Sequence, residues 1–401
     1  MGPLTDIVVV EVATWGFVPS AAAVLADWGA DVVKVEPVTA GDPLRELWVG
    51  GPPPSGMPPI NFMVELMNRG KRSVGLDLTT EAGRSAFMAL IDSADVFITN
   101  ALPQVQDKLG IGVPEIRARN PRIVYARGTG WGVRGEEAGA GGYDAVSYTA
   151  RGGVAHSFAG GALPVLQPPA FGDIMSGMAL AGGIAAALLQ RERDGTSPVV
   201  DVSLLGTAVW NMAPDIVSAK LFEGVERQRP ARGEYEDPLK GTYATGDGRH
   251  LTLVLNHGQR FWPDLCARLG RPDLVHDLRF VGPSERAENR VTCCAELRAA
   301  FASRTLPEWH VALAGFSGVW APITSPAEVA ADPQVSVNGY LQAVPTPLGV
   351  FHNVSSPAQF DEAPPQLGHA PLHGEHTDAV LREAGFDDGA IAQLKKIGAA
   401  R

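Results

Sequence analysis

The sequence predicts a doubly wound α/β fold, because short and almost wholly apolar runs alternate with helical stretches through its first half. Ile7–Val12 (IVVVEV), Ala30–Val35 (ADVVKV), Val74–Leu78, Val96–Thr99 (VFIT) and Ile123–Tyr125 read as strands. Strands apolar on both faces belong to a parallel sheet covered by helices on each side. The intervening segments supply those helices: Pro19–Trp28 is Ala-rich, and a second helix opens at Thr79 or Thr80 and runs through GRSAFMALI. The stretch 49–59 (VGGPPPSGMPP) reads as a surface loop. Further on come a buried helix from Ile174 to Gln190, a strand at Pro198–Leu204 and a helix at Thr207–Phe222.

At 401 residues the chain is long for one common domain, so two are expected. Residues 223–240 are polar and rich in Arg, Glu and Pro, as a linker is. A second unit begins at Gly241 with a hairpin turning at Asp247-Gly248, followed by helices to about Gly315. The last seventy residues return to short strands and a terminal helix at Glu375–Ala384.

Composition excludes several classes of function. A net charge of −11 argues against a nucleic-acid binder, which carries a basic face. Three cysteines, Cys266, Cys293 and Cys294, form neither a disulfide framework nor a spaced metal quartet. The apolar stretch from Ile174 contains three glycines and is short for a membrane span, and the N-terminus enters a strand without a signal-peptide pattern, so the cytosol is the expected location. Gly130-Trp-Gly132-Val-Arg-Gly135 fits a dinucleotide fingerprint, but a glycine-rich loop follows it where a helix should open. His373-Gly-Glu-His376 lacks metal spacing and reads as a helix N-terminus.

The segment FGDIMSGMALAGGIAAALLQRERDG is the strongest functional signal. Asp173 stands where its apolar helix begins, and Arg191 and Arg193 close the helix. Two roles fit an aspartate there. It can be an N-cap, accepting from first-turn amides. It can also be a nucleophile toward a thioester, kept ionised by the positive end of the helix, with Gly172 and Gly177 letting a substrate approach.

Seven stretches in order resemble the family III CoA-transferases, the formyl-CoA and carnitine CoA-transferase group. They are LADWGADVVKVEP with the following GD (25–42), NRGKRSVGLDL (68–78), ADVFITNALPQVQDKLG (94–110), NPRIVYARGTGWG (120–132), GGYDAV (141–146), FGDIMSG (171–177) and PLHGEHTDAVLREAGF (371–386). The resemblance implies a Rossmann-like large domain built from both chain ends, 1–222 and 331–401, and a smaller α+β domain with its linker at 223–330. It makes Asp173 the catalytic nucleophile. It implies a CoA cleft at Leu76, Thr79, Asn100, Ala101 and Lys108, with Thr129 and Trp131 deeper in and Arg69, Lys71 and Arg72 as a further basic cluster. It also implies an interlocked homodimer, an acyl-CoA and a carboxylic acid as substrates, and no metal or permanently bound cofactor.

The sequence departs from the family around the acyl pocket. Gly16-Phe17 stands where some transferases have Gln-Ala, Tyr148 where a Gln is usual, and Asn256-His257-Gly258-Gln259 where formyl-CoA transferases have a glycine loop. The pocket is therefore expected around Gly16, Phe17, Tyr143 and Tyr148. An α-methylacyl-CoA racemase shares this fold and is the rival activity. It needs a second acid/base group, and Tyr143 occupies its histidine position, leaving His156 as the nearby substitute. A non-catalytic CoA-binding relative is a second rival, which an intact Asp173 disfavours.

Overall fold

The computed structural model describes residues 2–159, 163–165, 167–223 and 235–401. The chain divides into two compact units, Met1–Lys220 with Pro333–Arg401, and Leu221–Asp332.

The first unit contains β1 (Val8–Val12), α1 (Phe17–Asp27), β2 (Asp31–Glu36), α2 (Phe62–Asn68), β3 (Arg72–Gly75), α3 (Glu81–Asp92) and β4 (Val96–Thr99). Then come α4 (Pro103–Leu109), α5 (Val113–Arg119), β5 (Val124–Thr129), a π-helical turn at Asp144–Ala150, α6 (Val154–Ala159), α7 (Phe171–Asp194), β6 (Val199–Ser203), α8 (Leu204–Asn211) and α9 (Ala213–Leu221). The six strands form one sheet in the order β3-β2-β1-β4-β5-β6. All its pairings are parallel, so every strand ends at the same edge.

Each face of this sheet has its own core. On one side Val9, Val32, Ile98 and Ala126 pack with α1 and α7 through Val18, Ala21, Ala22, Leu180 and Ile184. On the other, Val10, Val74, Phe97 and Tyr125 meet Phe87 and Ile91 of α3 and residues from the end of the chain, Val380, Leu381, Ile391 and Leu394. The chain end thus completes the fold that its beginning started. The Cβ of any other residue at Gly177 would lie 2.0 Å from Ser20 Oγ, which is why α1 and α7 can touch along small residues. This corrects the expectation that Gly177 admits a substrate: it is consumed by helix packing. Residues 171–194 are long and apolar enough to cross a membrane by length and composition, yet Leu180, Ala181 and Ile184 are wholly buried in this core.

Several element boundaries differ from those the sequence predicts. Thr80 caps α3 through its hydroxyl, which accepts from the Gly83 amide, fixing the start at Glu81. The expected helix Thr207–Phe222 is two, because the chain breaks at Met212 and restarts at Ala213. A last helix, Asp388–Lys396, follows the expected one, which spans Thr377–Glu383 with His376 at its N-cap. The loop 49–59 is largely exposed, as a surface excursion should be. Residues 224–234 of the expected linker lie outside the described residues.

In the second unit β7 (Thr242–Ala244) and β8 (His250–Leu253) form the expected hairpin, with β9 (Trp320–Pro322) added antiparallel to β8. Trp262, Phe280, Phe301 and Trp309 fill its core together with Cys266 and Cys293. All three cysteines are free and buried.

Candidate active site

The sheet order reverses between β1 and β4, the place where open parallel sheets leave a crevice at their carboxyl edge. A cavity of about 160 Å³ lies there. Trp15, Gly16 and Phe17 line it from the β1–α1 loop, Asn100 to Pro103 from the end of β4, Arg127 to Gly130 from β5, Tyr143 from the turn beyond, and Asp173 from α7.

The β1–α1 loop is held in place by buried charges. Lys34, fully buried, contacts Glu11 and Asp42 at 2.9 Å each and donates to the Ala13 carbonyl at 2.8 Å. Asp42 accepts from the Trp15 amide at 3.1 Å, fixing Trp15 in a left-handed conformation with φ of 69°. Asn100 grips the same loop twice, accepting from the Thr14 amide and donating to the Thr14 carbonyl at 2.7 Å. A residue in that conformation costs roughly 1–3 kcal/mol and persists only where its surroundings impose it.

Gly16 ends this loop against Asp173, and a Cβ there would sit 2.3 Å from Asp173 Oδ2. Asp173 is the third residue of α7 and makes no side-chain cap; the N-cap position is Ala170. The capping is done from elsewhere. Asp144 Oδ2 accepts from the Gly172 amide at 3.0 Å, and the Asp144 carboxylate faces the Asp173 amide as well. Of the two roles the sequence left open for Asp173, capping is therefore taken by another residue. The expectation that the helix end keeps Asp173 ionised is also corrected. Burial, and then the charge of Asp144, push its carboxyl up to about 7.

Gly172 serves packing and not substrate approach, since a Cβ there would lie 2.3 Å from the Tyr148 ring. Tyr148 itself is 2% exposed, with its hydroxyl accepting from Asn211, so it backs the helix start instead of lining the cavity. Tyr143 lines it, edge-on to Trp15 at 6.2 Å. His156 on α6 is not among the lining residues.

Of the residues singled out from sequence, Gly16, Phe17, Asn100, Ala101, Thr129, Tyr143 and Asp173 meet around this one cavity. The others stand apart from it. Leu76 is 1% exposed in the core beyond β3, and the Thr79 hydroxyl bonds to Asp77. Lys108 is exposed in the last turn of α4. Trp131 donates to the Gly141 carbonyl and carries the Arg151 guanidinium over its ring. The basic cluster is committed to acids: Arg69 to Asp27, Lys71 to Glu11, and Arg72 to Asp31 and Glu383. Asn256–Gln259 belongs to the second unit, where Gln259 bonds to Arg286.

Sequence reasoning missed Arg127 and Asp144. Arg127 lines the cavity and pairs with Asp201 on β6, and its signal was a charged residue near the end of an apolar strand. Asp144 lies inside GGYDAV, where the adjoining tyrosine drew attention first. No cluster of three or more His, Cys, Asp or Glu suited to a metal occurs among the described residues.

A Rossmann-like sheet with a carboxylate in its switch-point crevice that has no donor among the described residues defines a ligand-binding fold. The family model for CoA-transferase family III matches residues 4–377, and the chain belongs to that family as a CoA-transferase. An acyl-CoA transferase of Fusarium pseudograminearum is 32% identical over 99% of this chain and 88% of its own. The (R)-2-hydroxy-4-methylpentanoate CoA-transferase of Clostridioides difficile is 30% identical over 98% of both. Among solved structures, a CAIB/BAIF family protein from Brucella suis superposes with a TM-score of 0.82 at 30% identity, covering 96% of this chain and 99% of its own.

Proposed function

We propose that the enzyme moves coenzyme A from an acyl-CoA to a free carboxylic acid through covalent intermediates on Asp173. The observation that carries this is a carboxylate with no hydrogen-bond donor among the described residues, held at the cavity wall against Gly16. Asp173 attacks the thioester carbonyl and CoA leaves as thiolate, giving a mixed anhydride. The thiolate then attacks the Asp173 carbonyl carbon, releasing the donor acid and leaving an aspartyl thioester. The acceptor carboxylate attacks that thioester and expels CoA thiolate, which takes the acceptor's acyl carbon and frees Asp173. Gly16 provides no side-chain cap to α1, which leaves first-turn amides for the developing oxyanions.

Coenzyme A would lie along the carboxyl edge of the sheet. Three strand spacings separate β3 from β4, roughly 14 Å, within the reach of an extended CoA. Thr79 beyond β3 and Lys108 on α4 would then meet the nucleotide end, while Asn100 and Ala101 meet the pantetheine. Thr129 lines the thioester end, and Trp131 supports it from behind through Gly141. Trp15, Phe17, Leu102, Tyr143 and Leu204 give the acyl pocket an apolar wall, suited to an acid larger than formate. One relative is named for a branched 2-hydroxy acid, which agrees in kind. Free buried cysteines fit the reducing cytosol.

Racemisation is disfavoured because, among the described residues, no histidine and no carboxylate besides Asp173 lines the cavity. A 2-methylacyl-CoA incubated in deuterated water without free acid should keep its α-hydrogen, and adding an acid should start CoA transfer. Rapid α-deuteration without an acceptor contradicts the proposal.

A further inference from the structure

Every helix start needs acceptors for its first amides, and an aspartate in the first turn is well suited to turn back and supply one. Asp173 does not. The Gly172 amide is taken by Asp144, which arrives from the π-helical turn 28 residues earlier in the chain and whose carboxylate also faces the Asp173 amide. Asp144 is itself fastened, accepting from the Thr149 hydroxyl at 3.3 Å, and Gly172 packs directly on it: a Cβ there would lie 2.7 Å from Asp144 Oδ1. A bulkier residue at position 172 would break this contact. Taking the Asp173 proposal as its starting point, we propose that Asp144 is a positioning residue that occupies the start of α7 and so leaves the Asp173 carboxylate bare beside a second acid.

Two consequences favour nucleophilic attack. A carboxylate without donors is more basic, hence more nucleophilic, than one held by backbone amides. It is also free to follow the acyl carbon through each covalent stage, because α7 is capped without it. The groups around Asp173 leave Asp144 as the one that matters for its charge. Arg127 on β5 is engaged by Asp201, Tyr143 stands edge-on to Trp15, and α1 presents the Gly16 backbone and the Ser20 hydroxyl, which donates to the Asp173 carbonyl. Burial and Asp144 are the causes that raise Asp173.

Asp144→Asn tests this with little disturbance, since the amide oxygen keeps an acceptor for Gly172 while the charge is lost. The Asp173 carboxyl is followed by carbon NMR of protein labelled at the aspartate carboxyl carbon, its resonance assigned by its absence in Asp173→Asn. The midpoint near 7 should fall by about one pH unit or more in Asp144→Asn, and the acid limb of the kcat/KM profile should move with it. In Asp144→Ala the side chain of Asp173 should turn to cap α7, and the midpoint should fall at least as far. An Asp173 midpoint in Asp144→Asn equal to that of the wild type overturns the proposal, whether or not Asp144→Ala folds. The titration reads Asp173 irrespective of the reaction catalysed, so this failure is distinct from a failure of the transferase mechanism.

Discussion

At the scale of single residues, Asp173 is kept in a state that costs the fold stability. Burial, and then the charge of Asp144, push its folded carboxyl up to about 7 from the ordinary 3.8. A native state that holds its proton to higher pH than the unfolded chain loses stability as pH rises from about 4 to 7. Asp173→Asn should therefore melt higher than the wild type at pH 8, by roughly 2 kcal/mol after allowance for its partial exposure, and equally at pH 4. Thermal melts at the two pH values check this. Gly16→Ala approaches the same carboxylate from the other side: a methyl 2.3 Å from Oδ2 must push it away. The kcat of Gly16→Ala should drop about 100-fold with KM for acyl-CoA moved much less, because misplacing a reacting atom by about 1 Å costs that much. Asp173 was legible in the sequence as the acid opening an apolar helix. Its freedom from capping was not, because that depends on Asp144, whose contact to it spans a fold.

At the scale of elements, the loop between β1 and α1 is the part most dependent on distant support. Glu11, Lys34, Asp42 and Lys71 are buried together under it, and removing one member strands the rest without compensation. Lys34→Met should cost about 3–5 kcal/mol, read by urea denaturation, and should impair transfer in whatever fraction folds. Burial would raise Glu36, but Arg45, Lys34 and Ser73 hold its carboxyl down at about 2. The sign for this group is opposite to that of Asp173: its contribution is full above the ordinary 4.5 and is lost as pH falls toward 2. Apolar periodicity revealed the strands and the buried helix, since local pattern and fold agree there. It placed β3 two residues late and ended β5 four residues early, because Arg72, Arg127 and the terminal glycines look like turn residues until paired in the sheet. Arg69, Lys71 and Arg72 looked like a polyanion site for the same reason; their acidic partners lie far away in sequence.

At the scale of the whole molecule, α7 shows a face that the described residues leave uncovered. Phe171, Met175, Ala179, Gly182, Ala186 and Leu189 follow one another at helical spacing and are all exposed, Leu189 at 52%. On α8, Trp210 is 78% exposed. The homodimer that the family resemblance implies would cover such a surface, and Ala186→Arg should then shift the protein to monomer in light scattering at micromolar concentration. A variant as dimeric as the wild type removes this face from the interface. Family membership rests on almost the whole chain, whereas the chemistry rests on one carboxylate. The most direct test is intact-protein mass spectrometry after incubation with an acyl-CoA and quenching with hydroxylamine or borohydride. A mass change that maps to Asp173, and vanishes in Asp173→Ala with the fold retained, is the predicted result. CoA transfer proceeding in Asp173→Ala, or an adduct on another residue, contradicts the mechanism.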